Sequence, residues 1–287
     1  MKRAPTLASL AICLLGFFAS ANTLAINIDI SFVESGAFNL GTETYTATTM
    51  TTAQKAAFTS AETYWESVLI GYQDPLPAGF SVSIQAAVVD IDGPGGILGA
   101  AGPDFIETLP GSFVYTFSGV MGFDVADVVN MELNGTFSEV ILHEMAHVLG
   151  FGTLWELNGL YDELLNPGEY TGAAALAAYQ DEFSQPGATF VPVELAGDAG
   201  TAHGHWDEVN SGAGLTGITD ADGNDMRNEL MTGWLNSPTF VSRTTLASFE
   251  DLGYQVAYAT AVPLPGSLGL LLLGLAALRL RRAKPAA

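Results

Sequence analysis

The sequence predicts an α+β fold in two parts, and three observations carry that reading. Apolar residues alternate or run in short blocks at intervals through residues 26–117, as half-buried and buried strands do. Two segments open with capping-box patterns and lead into apolar runs. Beyond residue 150 the chain is mostly turn-forming, so mixed strands and helices give way to loops. With 48% hydrophobic and 10% aromatic residues, a folded core is expected rather than disorder.

Taken in order, residues 26–30 alternate apolar and polar and predict a first strand. Thr51 and Gln54 make a capping box, and Phe58, Ala61, Trp65, Val68, Leu69 and Tyr72 continue the helical spacing until Gly71, Pro75 and Pro77 end it. Residues 80–91 predict a buried strand through Val82, Ile84, Val88 and Val89, and the glycines and prolines of 92–103 predict a turn. Residues 113–117 alternate again. A second box, Thr136 with Glu139, opens a helix through Val140, Ile141 and Leu142 that closes near Gly150. The rest predicts a short alanine-rich helix at 172–179 and a last helix at 244–252 closed by Gly253. The two parts are then residues 26–150 and 151–258.

Charge excludes one class of function. Of 287 residues, 31 are acidic and 9 basic, for a net charge of −22. Between Ile26 and Val262 only Lys55, Arg227 and Arg243 face all of the acids. Such a chain repels a phosphate backbone, so nucleic acid is not an expected partner.

The ends predict addresses rather than fold. Residues 1–25 have Lys2 and Arg3, an apolar core over 7–18 and small residues at Ala19, Ala21 and Ala25, the layout of a secretory signal peptide. The only cysteine, Cys13, lies there, so the exported chain is expected to owe nothing to disulfides. Residues 259–287 run from Pro263 and Pro265 through an apolar stretch at 268–278 to Arg279, Arg281, Arg282 and Lys284. This ending resembles the PEP-CTERM sorting signals of Gram-negative bacteria, with Pro263-Leu264-Pro265 in place of the usual Pro-Glu-Pro. The resemblance implies an exported body at the cell surface or outside it, an exosortase-type processing enzyme as partner, and membrane association only through this segment.

The chemistry is concentrated in His143-Glu144-Met145-Ala146-His147. On a helix, positions i and i+4 lie about 40° apart, so both imidazoles can reach one ion, while Glu144 lies about 100° round from His143 and suits a proton acceptor better than a ligand. A catalytic zinc takes three protein ligands and leaves a place for water. The remaining histidines, His203 and His205, are the candidates for the third.

HEMAHVLGFG, a distant GHW and NELMTG at 228–233 together resemble the leishmanolysin family of metzincin zinc endopeptidases. Thr153 stands where other metzincins have their third histidine, and leishmanolysins instead carry a long insertion before a His-Trp pair. The resemblance extends to ILGAAGP and SRTTLASFEDLGY and so spans most of 50–256. It implies a metzincin-like, two-lobed zinc protease fold, with His143, His147 and His205 as ligands to one Zn2+ and Glu144 as general base. It also implies that Gly150 turns the chain back, that Met231 is a Met-turn residue beneath the site, and that proteins or peptides are the substrates. His203 is then an extra histidine, read as a solvated loop side chain. Tyr161 and Tyr254 could face an oxyanion but read better as packing residues. Residues 220–225 and 90–93 place acids at alternate positions, a calcium-like pattern without an EF-hand's Gly and Glu, and solvated turns are the favoured reading. The competing class is a catalytically silent surface or matrix protein that keeps a metal-bound fold; Glu144 argues against it, since a structural site has no need of that carboxylate.

Overall fold

A computed structural model describes residues 26–258 apart from 109, 110, 112, 198, 199 and 209–213. The expected signal peptide and sorting segment therefore lie outside the described residues, but for residues 26–258 the mixed α+β expectation holds. Strand β1 (Ile28–Phe32) and a hairpin of β2 (Ala37–Leu40) and β3 (Glu43–Thr46) lead into helix α1 (Thr52–Val68) and β4 (Leu69–Tyr72). Then come β5 (Val82–Val89), β6 (Gly99–Thr108), β7 (Val114–Asp124), helix α2 (Val125–Asn134) and helix α3 (Phe137–Val148). The rest holds β8 (Glu169–Tyr170), α4 (Ala173–Glu182), β9 (Val191–Pro192), α5 (Arg243–Asp251) and β10 (Tyr254–Val256).

One four-stranded sheet, in the order β1-β5-β7-β6, underlies the site. β1, β5 and β7 are parallel, and β6 runs antiparallel along the edge. Helix α3 lies between α1 on one side and β6 and β7 on the other. Phe58, Phe123 and Phe137 meet edge-to-face there, and Trp65 Nε1–H donates to the Leu142 carbonyl at 3.0 Å. A buried indole that finds such a partner fixes both helices, because leaving it unpaired would cost about 1–3 kcal/mol.

Four local expectations are corrected. Helix α1 keeps its Thr51–Gln54 capping box, but it stops at Val68 and residues Leu69–Tyr72 are extended. Pairing with β10 supplies hydrogen bonds there that the apolar spacing could not reveal. The 92–103 stretch is not all turn: its last five residues begin β6, and Pro103 is tolerated on an edge strand beside a register shift. At α3, Thr136 makes no side-chain cap bond; Glu139 is drawn instead to Ser237 and Thr239. Residues 125–134 form a helix where none was expected, capped by the Asp124 carboxylate.

Position 150 marks the change from sheet and helix to loop, yet the core does not part there. A single buried cluster runs from Ile28 and Trp65 through Met145 to Trp155, Trp206, Phe249 and Tyr254. Trp155 and Trp206 stack at 5.0 Å between ring centres, with Phe151 and Tyr170 edge-on to them. These rings hold the loop-rich half against the end of α3. Among the described residues no helix is long and apolar enough to cross a membrane.

Candidate metal centre

His143, Glu144 and His147 leave α3 in its last two turns, where the helix is packed on every side except the cleft. Gly150, at φ 116°, turns the chain away from the helix end. Gly152, at φ 73°, then lets the backbone close on the segment that carries His205: a Cβ there would lie 2.4 Å from the Gly204 carbonyl oxygen. The three histidines meet although residues 151–204 intervene between Gly150 and His205.

Each imidazole is oriented by a backbone carbonyl. His143 Nδ1 lies 2.7 Å from the Leu230 oxygen, His147 Nδ1 2.9 Å from that of Phe151, and His205 Nδ1 2.8 Å from that of Thr201. A carbonyl only accepts, so each Nδ1 carries the proton and each Nε2 presents a lone pair. The three Nε2 atoms lie 3.0 Å from one another in all three pairs. Three acceptors at that separation cannot satisfy each other and call for a cation. Tetrahedral ligation at about 2.0–2.1 Å would space its ligands by roughly 3.3 Å, so the trio fits zinc closely. Burial pushes His143 down to about 4, His205 to about 3 and His147 also well below the usual imidazole value, which keeps all three rings neutral. Among the described residues this is the one group of three or more histidine, cysteine or acidic side chains close enough to share an ion.

Glu144 is 6% exposed and stands against the start of β6, where a Cβ on Gly99 would be 3.2 Å from its Oε1. Burial pushes its carboxyl up to about 8, and a dication beside it would bring that value back down. Met231 is fully buried next to Leu230, whose carbonyl holds His143, and its own carbonyl accepts Trp206 N–H at 3.0 Å. The trio and Glu144 open onto a cleft of about 610 Å3 whose other acids are Glu139, Glu156 and Glu163.

The remaining candidates divide. Tyr254 is buried behind α3 and donates to the Leu149 carbonyl, so it packs and does not face the cleft. Tyr161 does line the cleft, hydrogen-bonded to His203 Nδ1 at 2.7 Å. His203 is thus a partner of Tyr161 on the cleft wall, at φ 66°, rather than the solvated side chain expected from sequence. In the 220–225 loop, Asp220 spends both oxygens on Asp222 N–H and on the N–H and side-chain amide of Asn224. At 90–93, the Asp124 carboxylate takes three backbone N–H groups. Asp220 thus caps its own turn, while the 90–93 turn is held from Asp124 at the end of β7.

Sequence reasoning missed the three orienting carbonyls and Glu229, which ties the Met231 segment to α5; carbonyls leave no residue signature, and only the NELMTG motif pointed near Glu229. No curated protein matches the chain. The family model for leishmanolysin, Peptidase M8, matches residues 114–268, more than half of the chain and including the three histidines and Glu144. The chain belongs to the leishmanolysin family of metallopeptidases.

Proposed function

We propose that the protein is an exported, zinc-dependent endopeptidase in which His143, His147 and His205 hold the metal and Glu144 is the general base. The observation that carries this reading is the convergence of three Nε2 lone pairs at 3.0 Å with a buried carboxylate on the next residue of the same helix. Zinc bound there supplies Lewis-acid polarisation of a carbonyl and an acidified water, with a pKa near about 7. Glu144 takes the proton of the attacking water and delivers it to the leaving amine, so a single carboxylate serves both steps. The Leu230, Phe151 and Thr201 carbonyls fix the tautomers that make the three rings ligands. Edge strand β6 enters the cleft beside Glu144 with backbone groups that a peptide in extended form can pair with, which favours a polypeptide substrate.

The test is metal analysis and casein hydrolysis on the parent, His205→Ala and His203→Ala. One zinc per chain is expected in the parent, loss of both metal and activity in His205→Ala, since two histidines hold zinc poorly, and neither loss in His203→Ala. A His205→Ala protein that keeps one zinc per chain would overturn the ligand set, and a zinc-loaded parent inert on casein would favour the silent surface protein. The export reading rests on the signal-like residues 1–25 and the tripartite ending, which also suggest anchoring or exosortase-type processing at the surface of a Gram-negative cell. Mass spectrometry of the native soluble protein should find neither Cys13 nor Arg281 and Arg282; their retention would defeat it.

A further inference from the structure

Behind His205 the fold gathers two buried carboxylates with no basic side chain against them among the described residues. Glu194 continues from β9: its N–H donates to the His205 carbonyl at 2.9 Å, and its own carbonyl accepts His203 N–H at 2.8 Å. Glu208 lies on the same stretch as His205, and its Oε2 accepts Gly233 N–H at 3.2 Å. The two side chains are 3% and 2% exposed. Glu194 Oε1 accepts Ala196 N–H, but Glu194 Oε2 and Glu208 Oε1 are buried without any partner. Both side chains reach the turn at Gly233: a Cβ there would stand 3.7 Å from Glu208 Oε1 and 3.9 Å from Glu194 Cγ. The charges that act on Glu208 are both negative, Glu194 and the exposed Asp207.

A buried carboxylate oxygen without a donor is costly, and two of them near one turn call for a shared electropositive partner. A pocket of about 490 Å3 reaches the pair, lined among others by Gly168, Pro192, Leu195 and Asp207. Donors that are all oxygen and come from separate segments suit a hard ion that accepts six to eight oxygens in flexible geometry, and backbone carbonyls and water can complete the set. We propose that Glu194 and Glu208 form a calcium site distinct from the histidine centre. Calcium there clips together the three segments around the third histidine, namely the Glu194 strand, the His205–Glu208 stretch and the turn at Gly233.

The test uses the zinc-loaded full chain in buffer stripped of calcium by a chelating resin, with zinc content followed throughout. Terbium luminescence excited through tryptophan should appear and be displaced by Ca2+, because Trp206 is only two residues from Glu208. Ca2+ at about a hundredfold over its Kd should raise Tm by roughly 5–10 °C, and Mg2+ by much less. Glu194→Gln and Glu208→Gln should each remove the terbium signal and most of the calcium shift while the zinc stays. Asp220→Asn should keep both responses. A parent that binds neither terbium nor Ca2+ would overturn the site. A calcium shift that survives in both Gln variants would overturn it too, by placing the ion elsewhere.

Discussion

Glu144→Ala is expected to keep its zinc and to lose casein hydrolysis by about 10²–10⁴-fold, the usual contribution of a positioned general base. The split follows from the geometry of α3. The three nitrogens that converge belong to His143, His147 and His205, and their orienting carbonyls belong to Leu230, Phe151 and Thr201, so removing the carboxylate disturbs no ligand. The fold should also tolerate the change. Glu144 is buried with no charged partner acting on it among the described residues, and burial pushes its carboxyl up to about 8. Replacing it removes a desolvated group and opens only a small space beside Gly99. Metal analysis, thermal melting and the casein assay on one preparation separate the outcomes. Intact zinc and Tm with lost activity supports the base; undiminished activity rejects the peptidase mechanism.

Much of this site was legible because its chemistry is local. The spacing of His143, Glu144 and His147 within one helix defines their relative directions, and α3 forms where the apolar run predicts it. His205 was legible only through the resemblance, since the close approach at Gly152 and Gly204 that brings it back is a tertiary event. Elsewhere local signals lost to distant partners. The Thr136–Glu139 box failed because Glu139 found Ser237 and Thr239, about a hundred residues on in the chain. The helical spacing through Tyr72 failed because β10 offered residues Leu69–Tyr72 a strand to pair with. The Gly/Pro-rich start of β6 is a strand because β7 supplies its partner and a register shift absorbs Pro103. Glu194 and Glu208 carry no motif in the sequence, and only burial makes them conspicuous.

The acid whose loss should cost most stability is Glu229. It is 1% exposed, and its Oε1 accepts the N–H of Ser242, the hydroxyl of Ser242 and the hydroxyl of Thr245 at 2.9, 2.9 and 2.6 Å, while Oε2 accepts Met231 N–H at 2.5 Å. Thr245 in turn accepts Trp206 Nε1–H at 2.9 Å, so one carboxylate links the Met231 segment, the start of α5 and the residue after His205. Glu229→Ala strands two backbone N–H groups and two hydroxyls in the core. At about 1–3 kcal/mol for each orphaned group, less the relief of burying no charge, the net loss is about 3–5 kcal/mol, or a Tm drop of about 10 °C. Zinc affinity should fall roughly 10–100-fold as Leu230 and Trp206 lose their anchorage. Glu229→Gln keeps the volume and one accepting oxygen, so it should fall between parent and Ala. The pH profile tells a charged hub from a merely bulky one. Burial raises Glu229 from the ordinary 4.5 to about 7 against its four hydrogen bonds, so its protonated form is favoured on folding. The associated stability is full below pH 4.5 and is lost as pH rises through about 7. Between pH 5 and 8 the parent's Tm should therefore decline more steeply than that of Glu229→Gln. Parallel slopes, or a Glu229→Ala protein as stable and as tightly zinc-bound as the parent, would show that the network holds neither the fold nor the metal.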